Sequence, residues 1–488
     1  MLLGPKSDII MNRLPALLLV IALSYIGVNA TAQKGSERRA EEKPNILYIL
    51  ADDLGWNDVG FHNDQVKTPH IDSLAKESVL LNRFYVCPVC SPTRAGVLTG
   101  RYPIRFGMQE HVISPTRRDG LPPSEFTLPE MLGKAGYKHR AAFGKWHLGL
   151  SSTKFHPLNH GFTQFYGHYN GAIDYFSRER AGELDWHRDY DSVHETGYST
   201  DLVGKGVVDF IQSVPKDEPF FAYVAFNAPH SPIQAKEEDL ETYGFDPGGP
   251  RAVNTDAGIS RREQAPEYGK SGKGNTVRQT FLAMTYAMDR QIGAILMALE
   301  ERKIADNTIV IFHSDNGGIP KHGGNNQPLR GDKFTTFEGG VKVVSMVRWP
   351  QRLDGGRTVD AMLGYIDWWP TLAKVAGYDT ASHQNALELD GINMLHILEG
   401  KKSAPDRVFY LGKKTVANQC FKLKESELFD LKEDPSETKN LAEEHGQLVE
   451  QLKSARVQFE HLTGTSSVSA LPEPSAWPPN EWKLPVEK

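Results

Sequence analysis

Cysteine is scarce in this chain, with three residues among 488. A disulfide framework would need more cysteines, so a hydrophobic core must supply the stability. Long basic runs are also lacking, and acidic residues outnumber basic ones by 61 to 55. This balance argues against nucleic acid as a partner, although a local cluster of cations could still bind a small anion. Two of the cysteines, Cys87 and Cys90, form a C-x-x-C pair, but no second C-x-x-C or H-x-x-x-H follows at zinc-finger spacing. This argues against structural zinc.

A hydrophobic run long enough to cross a bilayer is missing as well. The apolar stretch Leu14–Val28 falls short of the ~20 residues that a spanning helix needs. It follows Arg13 and ends before Ala30-Thr31-Ala32, an A-x-A cleavage site. We therefore expect residues 1–32 to be a cleaved signal peptide, with no stable membrane span afterwards. The protein would be exported, to a periplasm or beyond the cell.

Material for a hydrophobic core is plentiful. Hydrophobic residues make up 39% of the chain and charged residues 24%, which is typical of a globular protein. The length allows one large domain or two to three ordinary ones. After a charged linker at residues 33–43, we predict a large domain over residues 44–377. The pattern weakens beyond it, so residues 378–488 are predicted to form a smaller C-terminal α+β subdomain and a tail.

Three short apolar runs predict buried strands that end in polar residues. Asn45–Ala51 leads into Asp52-Asp53, and Thr308–Phe312 is followed by Asp315-Asn316. A third strand, within EPFFAYVAFNAPHSP, ends near His230. Helical patterns alternate with these strands, which predicts an α/β fold with a large, mostly parallel central sheet and helices on both faces. Ligands bind beyond the carboxyl ends of such strands, where all three polar clusters lie.

The acidic clusters indicate a metal site. Asp52, Asp53, Asp315 and Asn316 offer only oxygen ligands, which suit a hard cation such as Ca²⁺ or Mg²⁺. A single aspartate after a strand more often caps a turn. Two such clusters at strand ends in one α/β domain favour the interpretation as a metal site.

The segment Cys87–Arg94, CPVCSPTR, has two interpretations. Its left half is a C-x-x-C pair, typical of a redox-active dithiol or half of a zinc site. Its right half places Cys90 just before a helix with Pro92 in its first turn and Gly100 at its end. Free amides and the helix dipole favour negative charge there, and Arg94 can reach back to the same point. A small buried cysteine before a capped helix is the structural alternative.

The right half, continued as AGVLTGRYP, resembles the signature of the type I sulfatases of the alkaline phosphatase superfamily. In that family, C-x-P-x-R directs the oxidation of its cysteine to formylglycine (3-oxoalanine). NILYILADDLGWNDVG, GKWHLG, NAPHSP, SDNGG and LRGDKFTTFEGGV resemble further family blocks in the family's order. The resemblance runs from about Pro44 to Gly377 and implies an alkaline phosphatase-like fold. GRYPIRFGMQ and GGNNQPLRGDKFTTFEGGV are most similar to the arylsulfatase B (N-acetylgalactosamine 4-sulfatase) branch.

The resemblance implies two cofactors. Cys90 would become formylglycine, whose hydrate offers one hydroxyl to attack sulfur and a second to expel sulfate. This conversion needs a formylglycine-generating maturation enzyme as a partner. One Ca²⁺ ion would orient the sulfate and offset developing charge. Its ligands would be Asp52, Asp53, Asp315, Asn316 and the formylglycine of Cys90.

The resemblance also assigns catalytic roles to five other residues. Arg94 would steady the formylglycine. Lys145 and His147, both in GKWHLG, would bind sulfate, with His147 as the base of the elimination step. His230 and Lys333 would contact the sulfate and protonate the leaving alcohol. A lone histidine after a strand and a lone lysine are ordinarily structural or solvated residues, so these two assignments depend on the resemblance alone.

The sequence signals for the substrate, and for choosing between rival functions, are less specific. Aromatic and cationic residues in Gly167–Arg180 and Asp185–Tyr190 suit a sulfated sugar or simply pack their loops. The resemblance implies a sulfated carbohydrate, such as glycosaminoglycan, ulvan or carrageenan fragments. The alternatives are a phosphate or phosphonate ester hydrolase, a Ca²⁺-dependent glycan-binding protein without formylglycine, and a C-x-x-C oxidoreductase. We expect Cys87 to be a bystander, whereas His313 either faces the site or packs.

Overall fold

The computed structural model describes residues 42–115, 117–180, 182–252, 269–380 and 387–464. The predicted signal peptide, nearly all of the charged linker and the predicted tail lie outside these residues. The described residues from Pro44 onwards belong to one compact unit. None of the helices in these ranges combines the length and the apolar character that crossing a membrane requires.

The described chain alternates short strands and helices. The strands are β1 (Asn45–Ala51), β2 (Val79–Leu81), β3 (Phe84–Tyr85), β4 (His139–Lys145), β5 (Gln164–His168), β6 (Glu179–Arg180), β7 (Glu183–Leu184), β8 (His187–Arg188), β9 (Asp191–Ser192), β10 (Phe220–Ala225), β11 (Thr308–Ser314), β12 (Lys342–Val343), β13 (Ser345–Arg348), β14 (Arg357–Val359), β15 (Leu363–Gly364), β16 (Phe409–Gly412), β17 (Thr415–Ala417), β18 (Phe421–Lys424) and β19 (Glu427–Asp430). The helices are α1 (Pro69–Lys76), α2 (Cys90–Thr99), α3 (Leu128–Lys134), α4 (Ser199–Ser213), α5 (Glu237–Glu241), α6 (Val277–Glu301), α7 (Glu338–Val341), α8 (Trp368–Val375), α9 (Leu395–Leu398) and α10 (Gly446–Glu460). Short 3₁₀ helices span Pro103–Phe106, Thr153–Phe155, Pro157–His160, Pro320–His322 and Tyr365–Asp367.

A ten-stranded mixed sheet forms the centre of the fold, in the order β14-β2-β13-β11-β1-β10-β4-β5-β8-β9. Its middle strands β11, β1, β10, β4 and β5 are all parallel. The pairing of β1 with β11 runs from Asn45 opposite Thr308 to Ala51 opposite Ser314. Both strands therefore end at the same edge, as the predicted parallel sheet requires.

Two hydrophobic clusters cover the two faces of this sheet. Alternate residues of β1 divide between them, with Ile46, Tyr48 and Leu50 in one cluster and the residues between them in the other. The first cluster includes side chains of α2, α3 and α8, and the second includes side chains of α1, α4 and α6. A strand buried on both faces is apolar throughout, which explains the uninterrupted NILYILA.

Helix α2 follows the sequence prediction at its end and differs at its start. Gly100 terminates the helix with a φ of 67°, a left-handed conformation that glycine adopts readily. Cys90 is the first helical residue rather than the one before the helix, because the extended residue that precedes the helix is Val89. The thiol of Cys90 therefore belongs to the positively polarised first turn.

The smaller C-terminal region contains strands and a helix, which agrees with the predicted α+β character. Strands β16 to β19 form an antiparallel sheet of their own, and α10 contacts it. Phe409, Val416 and Leu428 of this sheet belong to the same hydrophobic cluster as α2. The C-terminal region thus shares a core with the central sheet, and the boundary at residue 377 stays a prediction.

Candidate active site

All the predicted site residues meet at the carboxyl edge of the central sheet. Loops after β1, β10 and β11 supply acidic residues and a histidine, β4 ends in a lysine, and α2 directs its first turn to the same place. Apart from His230, which is partly exposed, these side chains are buried. The residues are Asp52, Asp53, Cys90, Arg94, Lys145, His147, His230, Asp315, Asn316 and Lys333.

Asp52 and Asp315 share the guanidinium of Arg94, and Asp52 also pairs with Lys145. Lys145 Nζ donates to Asp52 Oδ2 at 2.5 Å. Arg94 donates through Nε and Nη2 to Asp315 Oδ2 at 3.0 and 2.8 Å, and its Nη2 lies 3.5 Å from Asp52 Oδ2. Burial and the neighbouring Asp315 nevertheless raise the pKa of Asp52 to about 7. The two cations therefore do not fully compensate the two carboxylates.

Asp53 has the opposite electrostatic surroundings. Lys333 Nζ and Asn316 Nδ2 donate to its Oδ1 at 2.6 and 2.7 Å, and His230 Nε2 lies 3.7 Å from its Oδ2. Burial alone would raise the pKa of Asp53, but the Lys333 charge and these neighbours hold it below its ordinary value. Burial alone would lower the pKa of Lys333, but Asp53 raises it. Both groups therefore stay charged.

Three oxygens of this cluster accept no hydrogen bond from any described residue. They are Asp52 Oδ1, Asp53 Oδ2 and Asn316 Oδ1, all buried. Possible ligand atoms of Asp52, Asp53 and His230 lie within 4.8 Å of one another, as do those of Asp52, Cys90 and Asp315. Buried oxygens without donors are costly unless a cation is close, and oxygen ligands suit a hard cation. The residues present therefore fit a hard cation, the class to which the implied Ca²⁺ belongs.

Cys90 faces the ring of His147. Its Sγ lies 3.3 Å from Nδ1, while Nε2 lies 2.9 Å from the carbonyl oxygen of Ile113. A carbonyl accepts hydrogen bonds, so Nε2 donates to it and Nδ1 presents its lone pair to Cys90. Burial, reinforced by Lys145 and Arg94, lowers the pKa of His147 well below its ordinary value and keeps the ring neutral. Burial also raises the pKa of the Cys90 thiol.

Two residues that position His147 carry no signal in the sequence. Ile113 holds the ring through its carbonyl, which any residue type could supply. Gly171 packs so closely that a Cβ there would lie 2.4 Å from the His147 ring. Asp53 and His147 themselves have left-handed backbones, with φ of 64° and 58°. Such strain is common at functional sites, and here it orients the side chains of two site residues.

Cys87 points away from the site. Its Sγ lies 3.1 Å from the hydroxyl of Tyr365 and 3.4 Å from Nε2 of Gln109. All three cysteines of the chain are free, and burial raises the pKa of Cys87 to about 12. A redox-active pair needs a thiol of lowered pKa, whereas burial raises the pKa of both Cys87 and Cys90.

His313 packs instead of facing the site. It is fully buried, its Nδ1 donates to the Ser314 carbonyl at 2.8 Å, and its Nε2 accepts from the Tyr48 hydroxyl at 2.6 Å. Two aromatic side chains of the segments expected to suit a sugar also pack inwards. Tyr175 and Trp186 are fully buried. Within those segments, the interpretation as loop packing holds for these two aromatic side chains.

The sulfatase family model matches residues 44–378 of this chain. Mouse (Mus musculus) arylsulfatase J is 34% identical over 370 residues, which cover 74% of this chain and 57% of that protein. Human (Homo sapiens) N-acetylgalactosamine-6-sulfatase is 33% identical over 404 residues, which cover 78% of this chain and 70% of that protein. The chain thus spans little more than half the length of arylsulfatase J.

Solved structures share the fold. The crystal structure of Ps i-CgsB in complex with k-i-k-neocarrahexaose matches with a TM-score of 0.74 at 29% identity, covering 87% of this chain and 94% of that one. The PsFucS1 sulfatase from Pseudoalteromonas sp. matches with a TM-score of 0.68 at 22% identity, covering 91% and 95%. The predicted alkaline phosphatase-like α/β fold is confirmed, whereas the arylsulfatase B branch stays a prediction. With a family model that spans most of its length, the chain belongs to the sulfatase family of the alkaline phosphatase superfamily.

Proposed function

We propose that this chain hydrolyses sulfate esters of sulfated carbohydrates, using formylglycine made from Cys90 and one Ca²⁺ ion. The observation that carries the proposal is the environment of Cys90. Its thiol is free, belongs to the first turn of α2, and lies 3.3 Å from His147 Nδ1. Ligand atoms of Asp52 and Asp315 lie within 4.8 Å of it. A base, a metal site and the residue to be oxidised are therefore adjacent.

The metal proposal is supported by the charges and the unpaired oxygens of the site. Three carboxylates are matched in number by the cations Arg94, Lys145 and Lys333. A divalent cation would give the site a net positive charge, which suits an anionic sulfate ester. Bound Ca²⁺ would polarise the sulfate oxygens. The residues that would hold it are Asp52, Asp53, Asp315, Asn316 and residue 90.

His147 is placed to move a proton at residue 90. When hydrated, formylglycine would supply one hydroxyl as the nucleophile and a second whose deprotonation expels sulfate and restores the aldehyde. Because Nε2 of His147 donates to the carbonyl of Ile113, its Nδ1 is free to accept a proton from a hydroxyl at residue 90. Arg94 is held by Asp315 and by the carbonyl of Lys145, so its guanidinium stays beside the same residue.

Lys145, Lys333 and His230 would bind the sulfate ester. Nδ1 of His230 donates to the carbonyl of Ser231 at 2.6 Å, which leaves Nε2 to face the site. Burial lowers the pKa of His230 well below its ordinary value. The negative charge of a bound sulfate ester would raise the pKa of His230 again and favour a proton on Nε2. His230 then protonates the leaving alcohol, which is a poor leaving group without an acid.

The carbohydrate class rests on the relatives. Ps i-CgsB binds the oligosaccharide k-i-k-neocarrahexaose, and the sequence relatives include N-acetylgalactosamine-6-sulfatase. Fragments of glycosaminoglycans or of algal ulvan and carrageenan are the substrates we propose. Export through the predicted signal peptide would bring the enzyme to such polymers in a periplasm or outside the cell. A formylglycine-generating enzyme of the host would have to mature Cys90.

Two cysteine variants test the proposal. Cys90→Ala removes the residue to be oxidised, whereas Cys87→Ser is a matched change of a buried cysteine three positions away. In a host with the maturation enzyme, we expect Cys90→Ala to abolish hydrolysis of 4-nitrophenyl sulfate and Cys87→Ser to retain it. Mass spectrometry of the wild-type Cys90 peptide should show the mass loss that accompanies conversion of a thiol to an aldehyde.

Other outcomes would support the rival functions. Hydrolysis of 4-nitrophenyl phosphate at a rate orders of magnitude above that of the sulfate would favour a phosphate ester hydrolase. An unconverted Cys90, with glycan binding but no turnover, would favour a glycan-binding protein. Loss of activity in Cys87→Ser together with a Cys87–Cys90 disulfide would favour an oxidoreductase.

A further inference from the structure

A basic groove lies on the C-terminal sheet. Two hairpin loops line it, Lys413-Lys414 between β16 and β17 and Glu425-Ser426 between β18 and β19, together with Arg456 of α10. The open space measures about 500 Å³. Both lysines are exposed, and no described residue forms a hydrogen bond or ion pair with the Lys414 ammonium. The groove therefore presents a cation that is available to a ligand.

The loop that carries these lysines has a strained backbone. Lys413 and Lys414 form the two-residue loop between the paired residues Gly412 and Thr415, with φ of 45° and 56°. Positions with positive φ in such loops strongly favour asparagine and glycine, because a side chain there costs stability. Two consecutive lysines contradict this preference. Such a conflict occurs at ligand sites as well as at ordinary turns, so the surroundings of the loop decide what it means.

Arg456 holds the two loops together. Its Nη1 donates to the carbonyls of Lys414 and Glu425 at 3.0 and 2.7 Å. The amide of Glu425 also donates to the carbonyl of Lys414 at 3.1 Å. These three hydrogen bonds fix the two hairpin loops that form the walls of the groove.

Phe334 connects the groove with the catalytic residues. It follows Lys333 directly, its φ is 74°, and it is 53% exposed. Its amide donates to the carbonyl of Pro88 at 2.8 Å, and its carbonyl accepts a hydrogen bond from Lys413 Nζ. The backbone of Phe334 is therefore held between the segment that carries Cys90 and the loop that lines the groove, and its ring is exposed.

We infer that Phe334 and the basic groove form a subsite for an anionic sugar next to the residue whose sulfate is removed. The Phe334 ring offers an apolar face to a sugar ring, and Lys414 offers a charge-assisted contact to a sulfate or carboxylate. The preferred substrate is then an oligosaccharide or polysaccharide with at least two anionic groups, rather than a sulfated monosaccharide. This inference rests on the proposed sulfatase function.

The substitution K414N tests the subsite. Asparagine tolerates the left-handed backbone, so the change removes the charge without adding strain. We expect kcat/KM on a disulfated chondroitin or carrageenan tetrasaccharide to fall about tenfold, mainly through KM, as for the loss of one charge-assisted contact. Activity on 4-nitrophenyl sulfate should stay within about twofold, because that substrate is too small to reach a neighbouring subsite. Lys414→Arg, which keeps the charge, should retain the tetrasaccharide activity.

Lys303→Asn is the matched control. Lys303 is also an exposed lysine with a left-handed backbone, at a φ of 58°, but it precedes β11 and so lies near the amino end of that strand, away from the site. Both activities should be unchanged in this variant.

Salt should weaken the preference of the wild type for the tetrasaccharide more than that of K414N. Phe334→Leu, which removes the ring, should lower the tetrasaccharide activity as well.

The outcomes separate the two proposals. If the wild type hydrolyses neither substrate, the proposed function fails. If the wild type hydrolyses both and K414N matches it on the tetrasaccharide, the subsite alone is refuted. An equal loss of both activities in K414N would show that the loop has a structural role, and would also overturn the subsite.

Discussion

Replacing Lys422 by methionine should destabilise the fold strongly, because its ammonium joins the C-terminal sheet to the rest of the molecule. Lys422 Nζ lies 2.7 Å from Glu338 Oε1 and 2.9 Å from Glu437 Oε1, and it donates to the carbonyl of Thr336 at 3.0 Å. Lys422 belongs to β18, whereas Glu338 begins α7. The amide of Glu338 also donates to Glu437 at 2.6 Å. The two carboxylates are therefore held side by side around one cation.

The size of the expected loss in the free energy of unfolding follows from the burial of these groups. The side chains of Lys422, Glu338 and Glu437 are 0%, 2% and 0% exposed. Removing one partner from a buried ion pair typically costs about 3–5 kcal/mol, because the remaining charge stays unpaired and out of water. Burial already raises the pKa of Glu437, and the loss of Lys422 would raise it further. We expect a loss of about 4 kcal/mol in the free energy of unfolding at pH 7.

The loss should depend on pH in a defined direction. In the variant, the pKa of a buried carboxyl lies above its unfolded value, so the folded state holds a proton that the unfolded state releases as the pH rises. The destabilisation should therefore be larger at pH 7 than at pH 5. Chemical unfolding, followed by tryptophan fluorescence and circular dichroism at both pH values, measures it.

Lys439→Met is the control for Lys422→Met. The Lys439 ammonium lies 3.0 Å from Glu444 but is 66% exposed, so its loss should cost less than about 1 kcal/mol. The double variant Lys422→Met/Glu437→Gln should recover part of the lost stability, since one unpaired carboxylate is removed. A Lys422→Met protein within about 1 kcal/mol of the wild type would refute the reasoning from buried charge.

Two further predictions concern Gly171 and His160. A Cβ at Gly171 would lie 2.4 Å from the His147 ring, so Gly171→Ala should displace the ring and lower kcat on 4-nitrophenyl sulfate by at least about tenfold, with a similar unfolding midpoint. An unchanged kcat would contradict this role of Gly171. Burial lowers the pKa of His160 to about 4, so below pH 6.5 the unfolded state takes up a proton that the folded state does not, and stability falls by about 2 kcal/mol by pH 5. His160→Gln should remove that part of the loss between pH 7 and pH 5, and an identical pH dependence in both proteins would argue against it.

The bounds of the strands show how much can be predicted from local sequence. The observed bounds of β1, Asn45–Ala51, equal the predicted ones, because a strand buried on both faces is apolar along its whole length. Strand β11 extends past the predicted Phe312 to Ser314. The two added residues are polar, and they can be buried because Tyr48 and the amide of Leu54 form hydrogen bonds with them. These partners lie about 260 positions away in the chain, so no local pattern reveals them.

The candidate site also combines features that local sequence predicts with features that it does not. The identities of Cys90, Asp52 and Lys145 follow from motifs, because the chemistry of a side chain is set by its type. The sequence by itself therefore determined the family and the α/β class, and it named the side chains whose chemistry a site could use. Only the tertiary structure decided that Cys87 faces Tyr365 and that the carbonyl of Ile113 sets the tautomer of His147.

The subsite proposed beside Phe334 depends on tertiary structure to the same degree. Lys413 and Phe334 are 79 positions apart, and nothing local in either segment indicates that they touch. The physical reason is common to all these contacts. Backbone preference and side-chain chemistry act over a few residues, whereas hydrogen-bond partners, burial and neighbouring charges are supplied by segments that meet only when the chain has folded.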